Sequence, residues 1–326
     1  LAHFKRTGLP DIIHGHYADA GFAGAQLARL LHVPYVFTGH SLGRVKRRRL
    51  SLGKAEPKAL ERKYRFTTRI EAEETALETA SMVVASTYQE VGQQYDLYDH
   101  YVPSRMEVIP PGVDLSSFYP SDEQWDPAPI ASMLSGFLRD PDKPMILAVS
   151  RPDRRKNITA LLAAFGRSPR LQELANLVIV AGTRDDLAEL EDGSRQVIEE
   201  ILRAVDRHDI YGKVAYPKQI NREDVPVFYR LAAAGRGVFI NPALTEPFGL
   251  TLIEAAASSL PIVATEDGGP RDIIGNCQNG TLIDPLDQEA MAAALLNLLS
   301  DPRDWEEKSR RGLEGVQRHY AWSAHA

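Results

Sequence analysis

Short apolar runs alternate with helical stretches through the first third of this chain, stop, and then start again, and no other feature constrains the fold as strongly. Residues 11–14 (DIIH), 35–38 (YVFT) and 82–86 (MVVAS) have the length and apolar content of buried strands, and 18–31 reads as a helix between the first two. Residues 57–80 read as one long amphipathic helix with Pro57 in its first turn. A further helix opens near Thr87, and Pro110, Pro111 and Gly112 stop regular structure after 108–109. The pattern resumes with MILAV at 145–149 and runs through strands at 177–180, 214–216, 237–240, 261–264 and 280–283 to a final helix over 287–299. Strands separated by helices require a parallel sheet covered on both faces. The expectation is an α/β protein with two Rossmann-like, doubly wound domains facing a cleft, over residues 1–115 and 144–326. Residues 116–143, aperiodic apart from a helical piece near 130–138, read as the connection between them.

Bulk properties narrow the function. A length of 326 residues suits two domains, and 44% hydrophobic with 25% charged residues is a globular composition. A net charge of −6 argues against a general nucleic-acid surface, although a few arginines can focus a positive field on a small anion. The one cysteine, Cys277, cannot form an internal disulfide. No run approaches the ~18 apolar residues of a spanning helix, and no leader pattern opens the sequence. A cytoplasmic protein without a membrane partner is the expectation.

Several constellations sit at strand ends, where open α/β sheets bind ligands. PFGLTLIE at 247–254 follows a strand and opens a helix, so the backbone near Gly249 and Leu250 offers an anion site, and Gly249 permits close approach. Glu246 and Glu254 flank this turn, and carboxylates accept hydrogen bonds from vicinal hydroxyls of sugar or ribose. A plain helix start with one acid for the dipole explains the pattern equally well. In SRPDRRKN at 150–157, Arg151 and Lys156 are spaced to reach one diphosphate, against the alternative of a solvated basic turn. His40, in TGHSLGR at 38–44, reaches into a cleft or caps a turn. In HGHYADAG at 14–21 the two histidines lack a third ligand, so no metal is expected, and Tyr17 and Asp19 suit a polyol or a helix cap. Arg69, in RIEAEE at 69–74, is either a ligand group or a surface ion-pair partner.

In this order the strings resemble retaining glycosyltransferases of the GT-B type, and among them the sucrose-phosphate synthase family. The likeness runs from HGHYADAG through IPPG (109–112), RDD (184–186) and VAYPK (214–218) to VFINPALTEPFGLTLIEAAA (238–257) and ATEDGGPRDI (264–273). The resemblance implies transfer of glucose from UDP-glucose to fructose 6-phosphate. Arg151 and Lys156 would hold the diphosphate, Glu246 the transferred sugar and Glu254 the ribose, with the Gly249–Leu250 backbone on the diphosphate or sugar. His40 would contact the donor sugar near the anomeric centre, with Tyr17, Asp19 and Arg69 on the acceptor side. The partners implied are a nucleotide-sugar donor and a sugar-phosphate acceptor. No cofactor is required, and any stimulation by Mg2+ would not involve a protein motif. Relatives begin with a strand and a Gly-rich loop and end with a helix crossing back to the first domain. Neither is found here, so the chain reads as a fragment. A mannosyl-transferring relative, sucrose synthase, and an inactive nucleotide-sugar-binding remnant are the alternatives. The motifs do not read out the donor base.

Overall fold

Two parallel sheets account for the double alternation. The computed structural model describes residue 6 and residues 8–51, 56–121 and 125–325, and the chain divides into compact units of residues 1–110 and 111–326. In the first unit, strands β1 (Ile13–His16), β2 (Tyr35–Thr38), β3 (Met82–Ala85) and β4 (Met106–Val108) pair in that order, all parallel. Every residue of β2 is buried, as an inner strand covered on both faces requires. Helix α1 (Tyr17–Leu31) buries Ala18, Gly21, Ala25 and Ala28, a stripe of small residues at helical spacing. That stripe lets the helix lie close to β2, since a Cβ on Gly21 would stand 2.6 Å from the Phe37 ring.

Helix α2 (Gly43–Ser51) precedes the segment read from sequence as one helix over 57–80, which is two: α3 (Pro57–Tyr64) and α4 (Phe66–Thr79). Arg65 between them is left-handed, with φ 47°. Leu60 and Phe66, both buried, are six residues apart, roughly 240° around a helix of 3.6 residues per turn. A straight helix would send them to different sides; the break brings both into the core. Helix α5 (Tyr88–Gln93) is capped reciprocally, with the Thr87 side chain accepting from the Glu90 N–H at 3.0 Å and Glu90 accepting from the Ser86 N–H at 2.7 Å.

The second unit contains β5 (Met145–Val149), β6 (Asn176–Val180), β7 (Val214–Ala215), β8 (Val238–Asn241), β9 (Ile262–Thr265) and β10 (Gly280–Ile283). Their order is β10-β9-β8-β5-β6-β7, all parallel. From β5 the chain first builds outward through β6 to β7, then returns to β5's other side and continues through β8 to β10. The direction therefore reverses between β5 and β8, the switch point at which doubly wound sheets open a crevice. Helices α7 (Ile158–Gly166), α8 (Pro169–Leu174), α9 (Asp192–Arg207), α10 (Val225–Ala234), α11 (Leu250–Ala257), α12 (Pro270–Cys277) and α13 (Gln288–Ser300) cover the faces, after α6 (Ala128–Ser135), which precedes β5.

Two readings from the sequence need correction here. Residues 116–143 (of which 122–124 lie outside the described residues) are not a free connection, and the division falls at Pro110–Pro111. Ile130, Leu134 and Leu138 are buried with Met145 and Phe228 in the core of the second unit. A side-chain amide of Asn176 also holds the Asp140 carbonyl at 2.7 Å. Nor is 287–299 the last helix, since α14 (Pro302–His319) and α15 (Trp322–His325) follow. Helix α14 buries Trp305, Gly312, Gly315 and Val316 on one face and is otherwise richly charged, so it offers few large apolar residues to mark it. Its glycines permit close packing, and a Cβ on Gly315 would stand 2.7 Å from Cys277 Cα. Burial pushes the Cys277 thiol up to about 12. No helix among the described residues is long and apolar enough to cross a membrane.

Candidate active site

The segments that follow β5 and β8 meet at the switch point of the second unit. After β5, Asp153 caps a single 3-10 turn, Arg154–Lys156, by accepting from the Arg155 N–H at 2.9 Å. Arg155 pairs with Asp153 and Arg154 with Glu200 at 3.0 Å, so surface acids occupy two of the segment's four cations. Hydrogen bonds from Arg155 hold the Asp153 carboxyl below its ordinary value. Lys156 instead reaches inward, with Nζ 2.6 Å from Glu246 Oε2. Arg151 is exposed at the mouth of the turn and has no ion pair among the described residues. Ser150 Oγ, just after β5, is buried and has no hydrogen-bond partner among the described residues.

Glu246 is fixed from several sides. Asn241, the last residue of β8, donates its amide to the same Oε2 at 2.9 Å. Its other carboxylate oxygen, Oε1, accepts no hydrogen bond among the described residues, and the residue is 8% exposed. Its backbone is bridged to Gly268, accepting from the Gly269 N–H at 2.9 Å and donating to the Asp267 carbonyl at 3.0 Å. Gly249, with φ 107°, then starts α11 without a side-chain cap among the described residues, so the N–H groups of Leu250 and Thr251 are left for a ligand near Glu246.

Glu254 lies in the second turn of α11 and accepts from the Tyr229 hydroxyl at 3.1 Å. Burial raises its carboxyl above the ordinary value, against the Tyr229 hydrogen bond and the charge of Arg222. A carboxyl raised on folding is fully stabilised below its unfolded value and loses stability as pH climbs through the folded one. Glu254→Gln is therefore expected to unfold at higher urea than the parent at neutral pH. That gap should close near the ordinary carboxyl value of 4.5; a constant gap would contradict a buried charge.

In the first unit, Tyr17, Asp19 and Arg69 line one cavity of about 810 Å3 together with Lys63, Arg65 and Thr68. Three cations around one carboxylate make it a place for an anion that also carries hydroxyls. Arg69 is held by Glu73, whose side chain is fully buried. Glu73 accepts from Arg69 Nε at 3.0 Å, from the Gly43 N–H at 2.9 Å and from the Tyr98 hydroxyl. Glu73→Ala would leave these donors stranded and is expected to cost about 3–5 kcal/mol in urea unfolding. A loss below about 1 kcal/mol would show that Glu73 is not the anchor.

His40 lies apart from that lining but touches it through a tilted ring contact with Tyr17, with centroids 4.7 Å apart. Both residues are left-handed, with φ 56° and 60°. His40 Nε2 is 2.8 Å from His16 Nδ1, and His14 Nε2 is 2.8 Å from Thr38 Oγ1. Burial, then the charge of His16, lowers the His40 value, so a neutral imidazole is favoured. The structure thus gathers Lys156, Glu246, Gly249, Leu250 and Glu254 around α11, with Arg151 on the turn after β5. It gathers Tyr17, Asp19, Arg69 and His40 in the first unit. Sequence reasoning missed Asn241, Glu73, Lys63 and Arg65. Asn241 directly follows the run read as a strand at 237–240, and Glu73 is four residues beyond Arg69 on one helix, both usable signals; Lys63 and Arg65 became legible only with the break at Arg65.

Residues 135–314 match the family model for Glycosyl transferases group 1, and residues 1–117 match Glycosyltransferase Family 4. Probable sucrose-phosphate synthase 5 of Oryza sativa subsp. japonica is 46% identical over 97% of this chain and 36% of its own length. The chain thus spans about a third of the curated relatives it matches. Among solved structures, sucrose-phosphate synthase from Thermosynechococcus elongatus is 30% identical with a TM-score of 0.76, over 99% of this chain and 73% of that one. Anabaena HepE in complex with UDP-glucose is 16% identical with a TM-score of 0.70, over 97% and 76%, a likeness of fold.

Proposed function

The chain belongs to the sucrose-phosphate synthase family of group 1 glycosyl transferases, and from that premise we propose that it transfers glucose from UDP-glucose to fructose 6-phosphate with retention at the anomeric carbon. The observation that carries this reading is Glu246. One carboxylate oxygen is anchored by Lys156 and Asn241, and the other is open to sugar hydroxyls next to an uncapped helix start. On this reading Lys156 and Arg151 meet the charge of the diphosphate, together with the backbone N–H groups at Gly249 and Leu250. Glu254 accepts from the ribose. UDP as the nucleotide draws on family membership and on the UDP-glucose complex of HepE.

The acceptor belongs to the first unit. Lys63, Arg65 and Arg69 would take its phosphate, while Asp19 and Tyr17 would bond its hydroxyls. His40, neutral, would bond the donor sugar. As the C1–O bond to the diphosphate breaks, the acceptor hydroxyl attacks on the same face, and the departing β-phosphate takes its proton. The protein's share is positioning and stabilisation of the leaving group, so no resident cofactor enters the proposal. The compartment proposed is the cytoplasm.

The test is turnover of UDP-glucose by this chain with fructose 6-phosphate or with fructose. A phosphorylated disaccharide formed only from the phosphate is the expected result. Equal turnover of fructose would favour a sucrose synthase, and saturable UDP binding without product would favour a binding remnant.

A further inference from the structure

Arg184 is 8% exposed yet has no carboxylate partner among the described residues. A guanidinium removed from water is costly unless an acid neutralises it, and burial here lowers its proton affinity. It is held instead by peptide carbonyls, those of Pro217 and Tyr216, each at 3.2 Å. Its own N–H donates to the Lys218 carbonyl at 3.0 Å. The segments that follow β6 and β7 are laced independently of that charge. The Thr183 hydroxyl donates to the Ile220 carbonyl and accepts from the Ile220 N–H at 3.3 Å, and Gln219 donates to the Arg184 carbonyl at 3.3 Å. The charge is therefore more than these loops need to stay together. A guanidinium has five N–H donors, and two carbonyls leave donors over.

Its place in the sheet gives those donors a use. Strand order puts the carboxyl ends of β9, β8, β5, β6 and β7 in a row. With the transferred sugar at Glu246, after β8, and the diphosphate at Lys156, after β5, the nucleoside end of the donor lies toward β6 and β7. Glu254, the ribose candidate, feels the charge of Arg222, which directly follows the 216–221 loop. We propose that Arg184 is a positioning residue that fixes the 216–220 loop as the rest for the donor's nucleobase and thereby sets discrimination between uridine and purine nucleotides. The inference depends on the nucleotide-sugar reading given above.

The test is calorimetric binding of UDP, ADP and GDP to the full chain, with UDP-glucose kinetics alongside. Arg184→Gln is expected to raise the UDP Kd about tenfold, the scale of one charge-assisted hydrogen bond. Binding of ADP should change less than about threefold, so the UDP:ADP preference shrinks. Loss of uniform binding should appear in KM, with kcat within about twofold. Arg184→Lys, which keeps the charge without the planar fork, should fall between. An unchanged UDP:ADP ratio, or an equal loss for every nucleotide, would overturn the role. Should Arg184→Gln fail to fold, Thr183→Val decides, because it loosens the same loop and must shift the ratio in the same direction. A parent chain that binds none of the three nucleotides would instead overturn the nucleotide-sugar reading itself.

Discussion

Lys156→Ala is expected to lower kcat about 10²–10³-fold, the scale on which a single preorganised donor to developing negative charge acts. Lys156 is ion-paired to Glu246, its Nζ 2.6 Å from that carboxylate. In the proposed reaction its charge serves the leaving diphosphate while its position keeps Glu246 oriented. Lys156→Arg should recover little, because the ammonium is a compact point charge and the guanidinium a wider planar fork. Steady-state kinetics at saturating donor check this. A kcat within threefold of the parent, in a variant with unchanged melting, would remove Lys156 from the chemistry.

Gly268→Ala is the second large effect, and it acts on stability first. Gly268 has φ 107°, and a Cβ there would lie 1.9 Å from the Glu246 carbonyl oxygen. A left-handed conformation costs an alanine about 1–2 kcal/mol, and forcing atoms into a packed site adds about 1–3. The total, about 2–5 kcal/mol, should lower the melting temperature of a unit this size by roughly 4–20 °C. Because the clash is with the backbone of Glu246, donor affinity should fall in whatever fraction stays folded. Calorimetric melting checks the first part and nucleotide titration the second. A melting temperature within 1 °C of the parent would mean the bridge between Glu246 and Gly268 is dispensable.

These predictions rest on features of unequal visibility in the sequence. The inner strands were legible because buried parallel strands are continuous apolar runs, as in MILAV and VFI, whereas the half-exposed edge strand β4 was not named. The loops after them were legible because Pro, Gly and charge mark the ends of such runs. Helix α14 was not read, since glycines at 312 and 315 stand on its buried face where large apolar residues would have drawn the eye. The break at Arg65 was invisible because arginine is not a helix breaker; the demand to bury both Leu60 and Phe66 imposes it. Glu246 and Glu254 were named from their flanking turn. Glu73 holds Arg69 from the next turn of α4, an i,i+4 spacing the sequence did carry, whereas Asn241 orients Glu246 from five residues away, across a loop whose path the sequence does not set.

The central claim is retaining transfer to a phosphorylated sugar. Proton NMR of the product formed by this chain from UDP-glucose and fructose 6-phosphate reads it most directly. An α-configured glucosyl signal in a phosphorylated disaccharide, formed with stoichiometric UDP, is the result the proposed transfer predicts. A β-configured product, or release of free glucose with no disaccharide, would contradict it.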